Sequence, residues 1–416
     1  MLRVLVLIVT SVVLFPALPL RAQPIEPGAL RLEEALTLAE ERSPSVQIAR
    51  AGVRAAASYM EIGTQTRARA PIVSLRAMIG RPDAPAATYS AMLGIPFDAT
   101  KRQPVFRREA ALLLERAEAE YQAAVNDARA RALSAYVAAA VAQAQVEVQT
   151  DRAEVTQGIL DSVAARLAQQ ASTAYDLSLA EREVAEARAA VIAANERLEA
   201  ARGELRMALD LPPNAVPVVE TLAAPSLPAG LDVEAIVALA AERRREPVAF
   251  QLAAERYRVS ERRIRAEAVS PAFVGLEYEA QGNQSPQQSI GASFSFQLPL
   301  VFSNQGERAV ARASAVATDV EAEVTLRNVQ REAATAYRLL ALHLSELRML
   351  EESALPAAQR AVEMTEARRA AGSADLFQVL INRRDFYALR ARRTDALGEA
   401  WLARVALERA VGGRLP

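Results

Sequence analysis

The sequence predicts a mainly α-helical protein that carries a β-barrel portion and is built from two internal repeats. Three observations support this fold class. The chain is 51% hydrophobic but only 5% aromatic, so its apolar residues are mostly Ala, Leu and Val, and Ala and Leu favour long helices. Pro44 and Pro247 lie 203 residues apart in similar surroundings, as do Pro96 and Pro299. Short runs of alternating polar and apolar residues, typical of half-buried strands, occur at corresponding places in both halves.

Each repeat begins with a predicted helix of about 40 residues, at 32–70 and at 232–269, because apolar residues recur there with helical periodicity. A proline interrupts each helix near its start. A second proline, Pro71 or Pro271, ends it, since proline cannot continue a helix.

Two alternating runs follow each of these helices. They span residues 72–80, 87–97, 272–280 and 288–298. Every run has about the 9–11 residues that a tilted strand needs to cross a bilayer. In the third run, Val274 and Leu276 alternate with Glu277 and Glu279. If the apolar pair faces lipid, the two glutamates point into a barrel lumen, where they are either simply solvated or give a mild preference for cations.

A very long helix is predicted after each pair of strands, at 104–169 and at 305–371. A continuous helix of some 66 residues reaches about 100 Å, and a kink is expected at Pro356. After a short break comes a shorter helix, at 176–209 and at 375–411. The first and last helices of a repeat, stacked end to end, would together be about as long as the long helix beside them.

The chain divides into four predicted segments. They are a signal peptide at 1–22, a first repeat at 30–209, a Pro-rich connector at 210–231 and a second repeat at 232–413. The leader has Arg3 before an apolar stretch and the small residue Ala22 at its end, as secretory signals do. No later stretch is apolar enough for a membrane helix, so membrane insertion would have to use strands.

Composition argues against several classes of function. The chain has no Cys, which excludes disulfides and thiol catalysis. Its net charge of −1 argues against nucleic-acid binding. The single histidine, His343, lies in a helical run and is expected to be structural, so neither a metal site nor a cofactor is predicted. No nucleophile–base pair or phosphate-binding loop indicates an enzyme.

The number of strands needed to close a barrel predicts how many copies of the chain assemble. Four strands are too few for a membrane barrel and would leave exposed edges. Three copies would supply about twelve strands, an even number within the range of bacterial barrels. Pro96 and Pro299 would then act as swivels between strand and helix, because proline cannot donate to a sheet but suits a first helical turn.

The doubled order of helix, strand pair and long helix resembles the TolC-type outer-membrane efflux ducts of Gram-negative bacteria. The stretch 298–315, "LPLVFSNQGERAVARASA", is similar to the strand-to-helix junction of the heavy-metal-resistance branch. The resemblance implies a homotrimer with a 12-stranded barrel in outer-membrane lipid and a 12-helix tunnel in the periplasm. It also implies a periplasmic adaptor and an inner-membrane pump of the RND type as partners. The duct would conduct metal ions or small toxic compounds passively.

The resemblance places the periplasmic tip at the two short breaks between long and shorter helices. Gly372 matches the family's tip glycine, and Gln170 stands at the corresponding place in the first repeat. Family ducts carry paired aspartates six and nine residues after that glycine, where this chain has Gln378 and Ile381. The acidic residues nearby, Asp176 and Asp375, either form a weaker constriction or are helix-start charges favoured by the helix dipole.

A soluble periplasmic coiled-coil scaffold is the alternative hypothesis. The four alternating runs separate the two, because a scaffold has no use for apolar residues such as Tyr89, Phe294 and Phe296 aligned on one face of a strand.

Overall fold

The computed structural model describes residues 29–64, 71–79, 87–97, 102–268, 272–282, 287–295, 304–371, 373 and 375–415. The predicted signal peptide, Phe296, Pro299 and Gly372 lie outside these residues. The first six elements are α1 (Leu32–Arg42), α2 (Pro44–Thr64), β1 (Ile72–Ile79), β2 (Ala87–Phe97), α3 (Arg102–Ala168) and α4 (Ala174–Ala208).

The same order of elements then recurs, except that a π-helical turn divides the second long helix into two parts. The elements are α5 (Val233–Arg243), α6 (Glu246–Glu267), β3 (Ala272–Gly282), β4 (Gln287–Ser295), α7 (Gln305–Met349), a π-helical turn (Leu350–Ala354), α8 (Leu355–Ala370) and α9 (Leu376–Val411). The π-helical turn comes directly before Pro356, where a kink is expected. Proline has no N–H and its ring clashes with the preceding turn, so a local widening of the helix accommodates it.

A shared tyrosine contact indicates the internal symmetry. Tyr136 on α3 donates its hydroxyl hydrogen to the Leu30 carbonyl at 2.8 Å. Tyr337 on α7 donates to the Leu231 carbonyl at 3.0 Å. In each case the tyrosine lies 106 residues after its acceptor. The same bond therefore joins the long helix to the start of each repeat.

The four strands form one antiparallel sheet in the order β1-β2-β3-β4. In the sheet, β2 pairs with β3 so that Leu93 faces Leu276, and the two halves of the chain are joined there. β1 and β4 each have a partner on one side only, so the described sheet is open at both edges.

The helices form a layer four columns wide. One long column is α3, which packs on α2 and α4 along one side and on α6 and α9 along the other. The fourth column, α7 followed by α8, packs on α6 and α9. Within the described helices, the two outer columns are not packed against each other. The layer is therefore open at both sides, like the sheet.

No helix among the described residues combines the length and apolar character needed to cross a membrane.

The buried core is rich in small side chains. One cluster, near the connector, packs α1, α3 and α4 around Tyr136, and a second packs α5, α7 and α9 around Leu340. A close helix approach brings Gly398 of α9 against Val141 of α3. A Cβ on Gly398 would lie 2.6 Å from the Val141 Cγ2 atom. Small residues at such positions permit close packing of long helices.

Candidate channel wall and tip

The sheet separates an apolar face from a mostly polar face. Residues that face each other across antiparallel strands share one side of the sheet. The large apolar side chains on one side are 40% to 80% exposed. They are Val73, Leu75, Tyr89, Leu93, Ile95, Phe97, Val274, Leu276, Tyr278, Ile290 and Phe294. An exposed apolar face of this extent indicates contact with lipid or another protein.

Glu277 and Glu279 lie on the opposite, mostly polar face. Ser90 of β2 faces Arg76 on one side and Glu279 on the other, so these three residues form one row across the sheet. Arg76 and Glu279 are two strands apart, or about 10 Å. The polar face is crowded at Gly275, where a Cβ would meet the Ser293 hydroxyl oxygen at 2.8 Å.

Pro96 is the penultimate residue of β2, where it faces Phe273 of β3. The strand ends at the next residue and α3 begins at Arg102. The predicted swivel residue of the first repeat therefore lies within the last two residues of a strand, and Pro299, its predicted counterpart, is outside the described residues.

The chain reverses direction between α3 and α4 through a residue in the left-handed conformation. Gln170 has φ 57°. The amide of Ala171 donates to the Arg166 carbonyl at 2.8 Å, and the amide of Gln170 donates to the Leu167 carbonyl at 2.9 Å. This pair of bonds is the Schellman motif, which ends helices and usually has glycine at the left-handed position.

The break between α8 and α9 contains the same long-range bond. The amide of Ser373 donates to the Arg368 carbonyl at 2.8 Å, with the spacing seen between Ala171 and Arg166. By this spacing Gln170 corresponds to position 372, and the role of both positions at the tip stays a prediction. Gly372 itself lies outside the described residues.

Both acidic residues near the breaks bind backbone amides at helix starts. Asp375 is the N-cap of α9 and accepts a hydrogen bond from the Gln378 amide at 2.9 Å. Asp176 occupies the third position of α4 and forms a capping box with Thr173, whose amide donates to the Asp176 carboxylate at 3.1 Å. This geometry matches the helix-start reading of the two acids.

The hydrogen bond from the Thr173 amide is the main cause that lowers the pKa of Asp176, and Arg369 adds a favourable charge. Burial together with repulsion by Arg166 lowers the pKa of Arg369, whereas Asp176 and Asp375 act to raise it. The two breaks therefore bring arginines and aspartates from both repeats into one electrostatic group.

The two remaining tip candidates lie on α9. Gln378 is exposed, whereas Ile381 is half-buried beside Leu380. Ile381 lines a small cavity of about 50 Å³ between α4 and α9, together with Leu179 and Phe377. An apolar cluster centred on Val163, Leu179 and Leu380 holds the ends of α3, α4 and α9 together.

The family model of outer membrane efflux proteins matches residues 240–413, which is most of the second repeat. The second repeat therefore resembles outer membrane efflux proteins. This match supports the predicted outer membrane location and a channel role rather than an enzymatic one. No protein of curated function matches the sequence.

Three solved structures illustrate the likeness of fold. CusC, described in connection with transmembrane channel formation, is 16% identical, with 92% of each chain covered and a TM-score of 0.74. The outer membrane protein VceC from Vibrio cholerae is 18% identical over 92% of this chain and 96% of its own, with a TM-score of 0.73. The open state of the Neisseria gonorrhoeae outer membrane channel MtrE is 17% identical over 92% and 89%, with a TM-score of 0.69. The predicted fold class, mainly helical with a strand portion, is confirmed.

The sequence did not reveal one group of residues that could together bind a metal ion. His343 on α7 lies beside Glu346 on the same helix and Glu399 on α9. The spacing of His343 and Glu346, three residues apart on a helix, could have been noticed in the sequence. Glu399 could not, because it is brought there only by the packing of α9 on α7.

Proposed function

We propose that three copies of this chain form the exit duct of a tripartite efflux system. The duct conducts metal ions or small toxic compounds passively from the periplasm to the exterior. The observation that carries the proposal is that the described part of one chain is open at both edges, in the sheet and in the helical layer alike. A wall with two unpaired edges closes when identical copies pair edge to edge in a ring.

The sheet edges support ring closure. β1 and β4 leave backbone hydrogen-bonding groups without a strand partner, and such groups cannot remain unpaired in a bilayer. Pairing β4 of one copy with β1 of the next satisfies both edges. The apolar face then faces lipid around the whole barrel, and Glu277 and Glu279 face the lumen.

Both outer helix columns expose apolar residues. On the α7–α8 edge, Val316, Val320 and Leu342 are between 53% and 64% exposed. On the α2–α4 edge, Ile48, Ile192 and Met207 are between 63% and 74% exposed. Apolar patches on both edges are what a head-to-tail interface between copies requires.

The partners follow from the passive character of the duct. A duct without an energy source of its own needs a periplasmic adaptor at its tip and an inner-membrane pump, here of the RND type. The pump and adaptor select the cargo. The heavy-metal branch remains the proposal for the cargo class, and it rests on the resemblance of stretch 298–315.

Insertion into planar lipid bilayers tests the duct. The purified full chain should produce discrete conductance steps. Leu276→Arg places a charge on the apolar face and should abolish insertion, because an arginine there costs about 2–4 kcal/mol near the bilayer centre. Glu277→Gln is the matched control from the neighbouring position on the other face and should insert normally.

Recovery of the unmodified protein wholly in the soluble periplasm, without conductance, would support the scaffold instead. Equal behaviour of the two variants would contradict the assignment of the faces.

A further inference from the structure

We propose that His343, Glu346 and Glu399 form a binding site for a divalent cation of the zinc class on the helical wall. The site joins α7 to α9 and is separate from both the tip and the sheet. Its ligand atoms already lie close together. The His343 Nδ1 atom is 3.5 Å from the Glu399 Oε2 atom and 4.0 Å from the Glu346 Oε2 atom, and all three lie within 4.8 Å of one another.

These distances approach those of a coordinated ion. Zinc binds imidazole nitrogen and carboxylate oxygen at about 2.0–2.2 Å, so ligands in a tetrahedral site are about 3.3–3.5 Å apart. Small side-chain rotations would bring the three atoms to that spacing. Three protein ligands leave a fourth position for water, which is typical of an open and reversible zinc site.

Arg392 orients the two carboxylates. Its Nη2 atom donates to the Glu346 Oε1 atom, and its Nη1 atom donates to the Glu399 Oε1 atom at 3.3 Å. The Oε2 atoms of both glutamates face His343, although Nη2 also approaches the Glu399 Oε2 atom at 3.5 Å. Partners outside the coordination shell commonly orient ligating carboxylates in this way.

Charge and access also suit a divalent cation. The two carboxylates and the guanidinium of Arg392 together leave one negative charge beside His343. The side chains of His343, Glu346 and Glu399 are 28%, 36% and 38% exposed, so an ion can enter from water. The competing interpretation is a four-member ion-pair network in which His343 is protonated and no metal binds.

The composition of the chain makes the experiment selective. His343 is the only histidine, and there is no cysteine, so any metal–imidazole signal comes from this residue. The full chain should be purified in detergent without a histidine tag and titrated with ZnCl₂ by calorimetry. We expect one zinc ion per chain. In spin-echo spectra of the Cu²⁺-loaded protein, we expect imidazole nitrogen coupling.

Variants distinguish the site from surface binding. His343→Ala and Glu399→Gln should each weaken zinc binding by at least about tenfold, and the first should remove the imidazole coupling. Glu323→Gln, at an exposed glutamate on the same helix about 30 Å from His343 along the axis, should leave binding unchanged. Circular dichroism melting confirms that each variant is folded.

Absence of a one-to-one binding event, or binding that survives His343→Ala, would overturn the metal site in favour of the ion-pair network. The conductance of the duct is independent of this outcome, so the two proposals fail separately.

Discussion

Tyr136 connects three segments of the chain through one hydroxyl group. It is 1% exposed, and burial raises the pKa of its phenol. It donates to the Leu30 carbonyl and accepts from the Glu220 amide at 3.1 Å. The long helix, the start of the first repeat and the connector therefore meet at one residue. Buried backbone groups need such partners because an unpaired one is costly.

Removing this hydroxyl should destabilise the fold more than removing its counterpart in the second repeat. Tyr136→Phe leaves the buried Leu30 carbonyl and the part-buried Glu220 amide without the tyrosine hydroxyl and should cost about 1–3 kcal/mol. Tyr337→Phe frees only the Leu231 carbonyl in a half-buried place, so its cost should be below about 1 kcal/mol. Thermal unfolding followed by circular dichroism measures both. An equal or reversed order would contradict the role given to Tyr136.

Individual residues were predicted to different extents by the sequence. The break after α3, where Gln170 is left-handed, could be predicted, because a helix that ends between two periodic segments favours such a residue. The capping bonds of Asp176 and Asp375 follow from the same local rules. The approach of Glu399 to His343 could not be predicted, since these residues are 56 positions apart and meet only through helix packing.

Elements were predicted well where their signal is local. The second strand, Ala87–Phe97, begins and ends at the predicted residues, and the other described strand bounds lie close to the predicted ones. Alternation over eight or more residues is a strong signal when one face is apolar. The relative position of α3 and α9, in contrast, could not be predicted from a local signal. It depends on the contact between Gly398 and Val141, and nothing near either residue in the sequence indicates the other.

A methyl group at Gly398 should force α3 and α9 apart. The added Cβ would lie 2.6 Å from the Val141 Cγ2 atom, so Gly398→Ala should destabilise the protein by about 1–3 kcal/mol through overpacking. Val141→Ala added to Gly398→Ala should recover most of this loss, because it removes the clashing methyls.

Gly158→Ala on α3 is the control, since nothing lies within 4 Å of its Cβ position. It should be neutral or stabilise the helix by up to about 1 kcal/mol. Thermal unfolding of the four proteins measures the effects. A destabilised double variant, or a neutral Gly398→Ala, would contradict a close crossing at this site.

The proposed duct treats the whole molecule as a segment of a wall with two open edges. Among the described residues, β1 and β4 each have a strand partner on one side only, the two outer helix columns are not packed against each other, and both columns expose apolar side chains. Sequence repeats predicted the doubled wall, and the count of strands predicted that one chain could not close. Neither repeat alone determines the register in which β4 of one copy would pair with β1 of the next. That register can be inferred from the pairing of β2 with β3, because there the two repeats of one chain meet in the same way.

Cross-linking between copies tests ring closure most directly. The two tyrosine contacts show that equivalent positions of the two repeats are 201 residues apart. Within one chain, Gly94 of β2 pairs with Gly275 of β3. The equivalent position of Gly94 in β4 is Ser295 and that of Gly275 in β1 is Ser74, so the same register between two copies places Ser295 opposite Ser74. The chain has no cysteine, so Ser74→Cys with Ser295→Cys introduces the only thiols.

A short bifunctional maleimide applied to this double variant in membranes should give covalently linked dimers and trimers on a denaturing gel, and no larger species. Ser74→Cys with Gln287→Cys, at the far end of β4, should give none, because the two thiols would lie about 27 Å apart at about 3.4 Å per residue. Cross-linked trimers from the first pair alone are the result that the ring predicts. Monomers from both pairs, or ladders that continue beyond trimers, would contradict it.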